Sequence, residues 1–174
     1  LFDWRRARDL WIEYVRTFVE RYGGEQLERG RDLFEQALAT GVPANNAEAA
    51  AWYEPVFLLY ARFEERFGTM RRALAVYERM CAAMPEERKL PAFVLLAVKT
   101  EQELGAPSAR AVYERAVESL GEDDAARACV RFADLERRLG ETARARAVFT
   151  YGAQFSDPQR KPDPVGLWAA WSEF

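Results

Sequence analysis

Apolar positions along the chain recur at helical spacing. Between Ala109 and Leu120 they are Ala109, Val112, Tyr113, Ala116, Val117 and Leu120, the i, i+3, i+4, i+7, i+8, i+11 stripe of one helix face, with polar residues between them. Read this way, the pattern predicts helices over roughly 7–22, 26–39, 47–67, 70–84, 91–104, 107–119, 123–139, 142–155 and 165–174, with boundaries good to a few residues. Pro55 is expected to kink or split the third, because a proline inside a helix removes a backbone donor and clashes with the preceding turn. Residues 41–46 and 156–164 carry prolines and turn formers, and read as surface loops rather than domain boundaries.

The helices repeat as pairs. Ala75-Val-Tyr-Glu-Arg79 and Ala111-Val-Tyr-Glu-Arg115 are identical, and Ala145-Arg-Ala-Val-Phe149 and Gly30-Arg-Asp-Leu-Phe34 follow the same template. Aligned on the aromatic, Phe34, Tyr77, Tyr113 and Phe149 share a register, and four residues earlier stand the small residues Gly30, Ala73, Ala109 and Ala145. A small residue lets two helices approach while the aromatic fills the groove of the neighbour. The preceding helix of each pair ends in Glu-x-x-x-Gly, at Glu20/Gly24, Glu64/Gly68, Glu101/Gly105 and Glu136/Gly140, with glycine intervals of 44, 37 and 35 residues. These glycines are expected to be left-handed helix caps. Ahead of the glutamate, apolar residues recur at spacing three: Phe57, Tyr60, Phe63; Cys129, Phe132, Leu135; and, opening a fifth copy, Trp168, Trp171, Phe174. Pro107 and the acidic run Glu122-Asp-Asp124 suit the first turns of their helices, as does Glu141. One pair cannot bury both faces, so the predicted class is an all-α solenoid of stacked antiparallel pairs: one array over 1–174, with repeats at about 7–40, 47–84, 91–120 and 123–155 and the start of a fifth at 165–174.

The first helix of each pair discriminates between repeat families of similar period. A tetratricopeptide helix would read Trp-x-x-Leu-Gly-x-x-Tyr, whereas Phe57, Tyr60, Phe63 and Glu64, with Ala109-Arg-Ala-Val-Tyr-Glu-Arg-Ala116 in the second helix, resemble the HAT (half-a-tetratricopeptide) consensus over essentially the whole chain. Asp9-Leu-Trp-Ile-Glu-Tyr-Val15, which carries Trp11 and Tyr14, resembles the SYF-type pre-mRNA-splicing factors, also called XPA-binding proteins. So do Arg21-Tyr-Gly-Gly24, Arg131-Phe-Ala-Asp-Leu-Glu136 and Phe155-Ser-Asp-Pro158 before a Trp-rich helix. The resemblance implies a fragment from the C-terminal half of a nuclear HAT scaffold of the spliceosomal NineTeen complex, with links to transcription-coupled repair. Two departures stand out: Gly30 where Ala is usual, and Val94, Ala97 and Thr100 where the third copy would carry aromatics.

Composition narrows the chemistry. The chain's 25 Lys+Arg against 28 Asp+Glu leave a net charge of -3, so no global field draws it to nucleic acid or an acidic membrane. Only Lys89, Lys99 and Lys161 are lysines; the rest are arginines, suited to forked hydrogen bonds and to covering apolar surface. Histidine is absent, which removes His-based triads and His-ligated zinc. Cys81 and Cys129 sit in helical apolar patterns without metal-ligand spacing and read as buried reduced thiols. The longest apolar runs, such as Phe93 to Val98, are far short of the ~20 residues a membrane helix needs. Gly23, Gly24 and Gly30 form no phosphate-loop motif, and the neighbours Glu64/Glu65 and Glu86/Glu87 point in different directions on a helix, so neither pair makes an acid–base couple.

Glu64, Glu101 and Glu136 fall on the apolar side of their helices, where a carboxylate must find partners; each is expected to accept hydrogen bonds from a neighbouring Arg or Tyr. Arg62, Arg66, Arg71, Arg72, Arg131, Arg137, Arg138, Arg144 and Arg146 invite an RNA-binding reading, but acidic residues interleave with them and no aromatic platform is evident on the same face. The expectation is therefore a protein-interaction scaffold in splicing, without catalytic residues, cofactor, metal, membrane or small-molecule substrate. Its partners would be spliceosomal proteins, other HAT scaffolds among them. The alternatives are a HAT scaffold of the crooked-neck-like or cleavage-stimulation kind, or a direct RNA-contacting module.

Overall fold

The computed structural model describes residues 4–41, 47–156 and 166–174. Among these residues every regular element is helical. They are α1 (Trp4–Tyr22), α2 (Leu27–Gly41), α3 (Ala47–Trp52), α4 (Glu54–Phe67), α5 (Met70–Ala83), α6 (Glu86–Leu104), α7 (Ala106–Ser119), α8 (Glu122–Arg138), α9 (Thr142–Gly152) and α10 (Leu167–Glu173), with one 3-10 turn at Ala153–Phe155. The all-α class read from the periodicity is the class observed. Of the loops expected at 41–46 and 156–164, Gly41 ends α2 and Ser156 follows the 3-10 turn, while residues 42–46 and 157–164, like the first three residues, lie outside the described residues.

The chain divides into two compact units, Leu1–Ala92 and Phe93–Phe174. In the first, α1 packs on α2 and α4 on α5, while α4 also receives α1 and α2; α3 packs on α1 and α5. In the second, α7 and α9 pack on α8, and α10 lies against α8 and α9. Connections of a few residues, such as Gly68-Thr69 between α4 and α5, make successive helices antiparallel.

The prolines divide the elements differently from the periodicity. At Pro55 the predicted helix 47–67 breaks in two: the buried Tyr53 leaves helical geometry, and α4 restarts with the proline in its first turn, where no N–H is needed. α6 begins at Glu86 rather than at residue 91 and carries Pro91 inside it. Glu86 and Glu87 place two carboxylates on its first turn, a favourable start that the apolar stripe alone does not reveal.

The expectation that each repeat glycine is a left-handed cap needs correcting. Gly105 and Gly140 do have positive φ, +83° and +78°. Gly68 does not, with φ -105°; a Cβ there would stand 1.9 Å from Glu64 Oε2, so the glycine makes room for a buried carboxylate. In the first copy the left-handed residue is Gly23, φ +51°, rather than Gly24. That one-residue slip moves the whole stripe of α1. Aligned on Gly23, Val15, Phe18 and Val19 take the places of Tyr60, Phe63 and Glu64, which is why Val15 and Phe18 are buried while Glu20 is exposed and Tyr14 is 51% exposed. A helix turns by about 100° per residue, enough to carry a side chain from the core to its edge.

The other departure, Gly30, has a local cause. A Cβ on Gly30 would lie 2.5 Å from Cζ of Phe63, a buried ring of α4, so here the ring occupies the space that the alanine methyl fills in other copies. Alanine is intrinsically about 1 kcal/mol better than glycine inside a helix, yet forcing a methyl into a filled site costs typically about 1–3 kcal/mol. Gly30→Ala should therefore lower the thermal midpoint; a raised midpoint in a calorimetric scan would show that the ring can move aside.

Candidate functional site: buried forks between helix pairs and the grooves beside them

Glu64 ends the buried stripe Val56, Phe57, Tyr60, Ala61, Phe63 of α4 and is 0% exposed. Its charge is met from the preceding pair: Arg31 of α2 donates from Nε to Oε1 at 2.6 Å and from Nη2 to Oε2 at 2.9 Å, while its remaining nitrogen reaches exposed Glu28. The Glu64 bonds are the main cause holding the Arg31 guanidinium well above its ordinary pKa. The second unit repeats the arrangement atom for atom. Arg110 of α7 donates from Nε to Oε1 of Glu136 on α8 at 2.6 Å and from Nη2 to Oε2 at 2.9 Å, with Glu136 1% exposed.

In both cases the arginine directly follows the small residue of the second helix of one pair, and the glutamate closes the stripe of the first helix of the next. A planar guanidinium matches a carboxylate at two points, so the contact fixes rotation as well as distance. The sequence reading asked for an Arg or Tyr partner without naming one; the small-Arg dipeptides Gly30-Arg31 and Ala109-Arg110 are the signal that could have done so.

Beside each fork lies a ring stack from the same two helices. Phe34 stacks on Tyr60 (centroids 4.9 Å, 3° between planes) and Tyr113 on Phe132 (5.4 Å, 7°). Phe149 of α9 makes the same contact with Trp171 of α10 (5.9 Å, 8°), and Trp168 stacks on Trp171 at 5.8 Å. Burial, with the nearby Glu35 carboxylate adding to it, pushes the Tyr60 phenol up to about 12.

The remaining repeat residues are placed less uniformly. Trp11 is half-buried, with its ring 6.1 Å from exposed Tyr14. Tyr77 is buried and donates to Glu65 at 3.0 Å. Glu101 corrects the expectation of a carboxylate on the apolar side: Leu96, Ala97 and Thr100 occupy the buried face of α6, leaving Glu101 at its edge, 24% exposed and accepting one bond from Arg138 at 3.0 Å. Cys81 and Cys129 are both buried, and burial pushes the Cys129 thiol up to about 11. Among the described residues no group of His, Cys, Asp and Glu is placed to hold a metal ion, and no helix is long and apolar enough to cross a membrane.

Hollows open on the surfaces these contacts leave free. One of about 280 Å³ on α1 and α2 brings Tyr14, Phe18 and Tyr22 together with Arg21 and Arg29, two arginines outside the set weighed from the sequence. Another, of about 320 Å³, lies over α8 between α7 and α9, lined by Val117, Phe132, Val148 and Tyr151 and bordered by Glu114 and Glu118.

Helix pairs joined within each unit by a buried fork and ring stacks define a helical-repeat protein. The chain belongs to the family described as pre-mRNA-splicing factor Syf1/CRNKL1 C-terminal HAT repeat, which matches residues 1–174. Over those 174 residues it is 41% identical to the pre-mRNA-splicing factor syf1 homolog of Drosophila melanogaster. It is 38% identical to pre-mRNA-splicing factor SYF1 of Homo sapiens and 39% to pre-mRNA-splicing factor cwf3 of Schizosaccharomyces pombe. All of this chain is covered in each match, but only 19%, 19% and 21% of those relatives, so it spans about a fifth of their length.

Proposed function

We propose that this chain is a protein-binding stretch of a nuclear pre-mRNA-splicing scaffold, one HAT array over 1–174 whose repeats hold partner proteins in place. The observation that carries this reading is the recurrence of the fork, Arg31 on Glu64 and Arg110 on Glu136, which spends the functional-looking charged residues on joining helix pairs. What remains for function is extended helix surface, and repeat arrays use such surface to engage several partners at once. The relatives' names supply the process; a place in the NineTeen complex, contacts with other HAT scaffolds and a part in transcription-coupled repair are finer proposals that rest on the family resemblance of the sequence. Crosslinking mass spectrometry of the full-length protein from nuclear extract tests it. Crosslinks from these residues to splicing proteins are expected, whereas recovery of cytosolic chaperones alone would contradict it.

A second reading, RNA contact, draws on the Tyr14, Tyr22, Arg21, Arg29 hollow. It requires binding to single-stranded RNA that falls steeply with salt, because each neutralised phosphate releases counterions. The acidic border of the α7–α9 groove argues against RNA in the second unit.

A further inference from the structure

In the first unit the exposed sides of α2 and α5 are tied together. Arg79 donates from Nη1 to Oε1 of Glu35 at 2.6 Å and from Nη2 to Oε2 at 2.9 Å. Glu35 directly follows the stacked Phe34, and Arg79 stands two residues after the aligned Tyr77. The same register positions in the second unit are Glu114, directly after Tyr113, and Tyr151, two residues after Phe149. Tyrosine cannot supply the fork, and no ion pair engages Glu114 or Glu118 among the described residues. The place of the missing guanidinium is the groove of about 320 Å³ between α7 and α9, whose lining holds two carboxylates and no cation. Glu114 and Glu118 are one turn apart on α7; Arg110, one turn before Glu114, acts on it through space but commits its fork to Glu136. The floor and far wall are apolar: Phe132 and the buried Cys129 of α8, Val148 and the 47%-exposed Tyr151 of α9.

We infer that this groove docks a segment of another protein that carries an arginine beside an apolar side chain. The arginine forks Glu114 as Arg79 forks Glu35, with Glu118 adding to the field. The apolar side chain lies on Val117, Phe132 and Val148 under the Tyr151 ring, which can stack on the guanidinium plane. The occupant is protein rather than nucleic acid, since a phosphate backbone would meet two carboxylates at the entrance. This inference rests on the scaffold reading above and names the partner chemistry at one of its surfaces.

The test places the photo-crosslinking amino acid benzoylphenylalanine at position 151 of the full-length protein, in its assembled particle, with a second insertion at exposed Arg71 as reference. The crosslinked peptide from position 151 should be a protein segment with Arg or Lys within a turn of an apolar residue. Glu114→Arg, at an exposed site that leaves folding intact, should cut that yield about tenfold, the worth of a charge-assisted fork, while the yield at position 71 holds. An unchanged yield in Glu114→Arg overturns the inference, as does capture of RNA, of a second copy of this chain or of a segment without a cation, or no capture at position 151. If position 71 still reports splicing proteins in those cases, only the groove assignment falls; if neither position does, the scaffold reading falls with it.

Discussion

Arg31→Met is expected to lower the unfolding free energy by about 3 kcal/mol, the lower end of what breaking a buried ion pair costs. The loss is large because Glu64 is 0% exposed and both its oxygens are bonded to this one guanidinium. It sits at the lower end because Arg31 also reaches exposed Glu28, so water can follow the vacated path to the carboxylate. Arg31→Lys keeps the charge without the planar fork, and should fall between wild type and Met. Urea unfolding followed by far-ultraviolet circular dichroism checks the series. A loss below about 0.5 kcal/mol for Met, the range of ordinary surface substitutions, would mean that the fork contributes nothing net.

Tyr113→Ala should cost a similar amount, about 3 kcal/mol, through cavity formation rather than charge. Tyr113 is 6% exposed, stacks on Phe132 across the α7–α8 contact and has burial as the first cause of its raised pKa. Tyr113→Phe keeps the stack and removes only the hydroxyl, so it should lose much less. Thermal or urea unfolding of the two variants separates ring from hydroxyl; equal losses would place the stabilisation in the hydroxyl rather than the stack.

The periodicity made the repeat legible because packing of one helix pair on the next demands the same residue types at the same register. Small-x-x-x-aromatic at Ala109/Tyr113 and the closing Glu136 each appear in the structure as a close contact, a stack or a fork. Less visible were features that depend on a three-dimensional neighbour. Gly30 breaks the template because the Phe63 ring takes its methyl's place, and nothing local to either residue announces it. The slip from Gly24 to Gly23 arose because adjacent glycines satisfy the same motif, and only burial of Val15 and Phe18 decides between them. The Glu101 expectation held for its arginine partner but not for its depth, because Glu-x-x-x-Gly marks a helix end but not which face the glutamate takes; with Thr100 on the buried side, Glu101 moves to the edge. The second of these repeat helices also carries Leu74 where Arg31 and Arg110 stand, a difference visible in the sequence once the fork is known. The α7–α9 groove became readable only by comparison with Arg79 and Glu35, a pair 44 residues apart that no single helix pattern connects.

The claim that the fork joins one helix pair to the next is tested most directly by a double-mutant cycle across Arg31 and Glu64, with urea unfolding of wild type, Arg31→Met, Glu64→Leu and the double variant. A buried pair whose partners depend on each other should show a coupling energy of about 1.5 kcal/mol or more, with the double variant more stable than the sum of the single losses implies. Losses that add to within about 0.5 kcal/mol would show that Arg31 and Glu64 act independently, and that the contact does not hold the repeats in register.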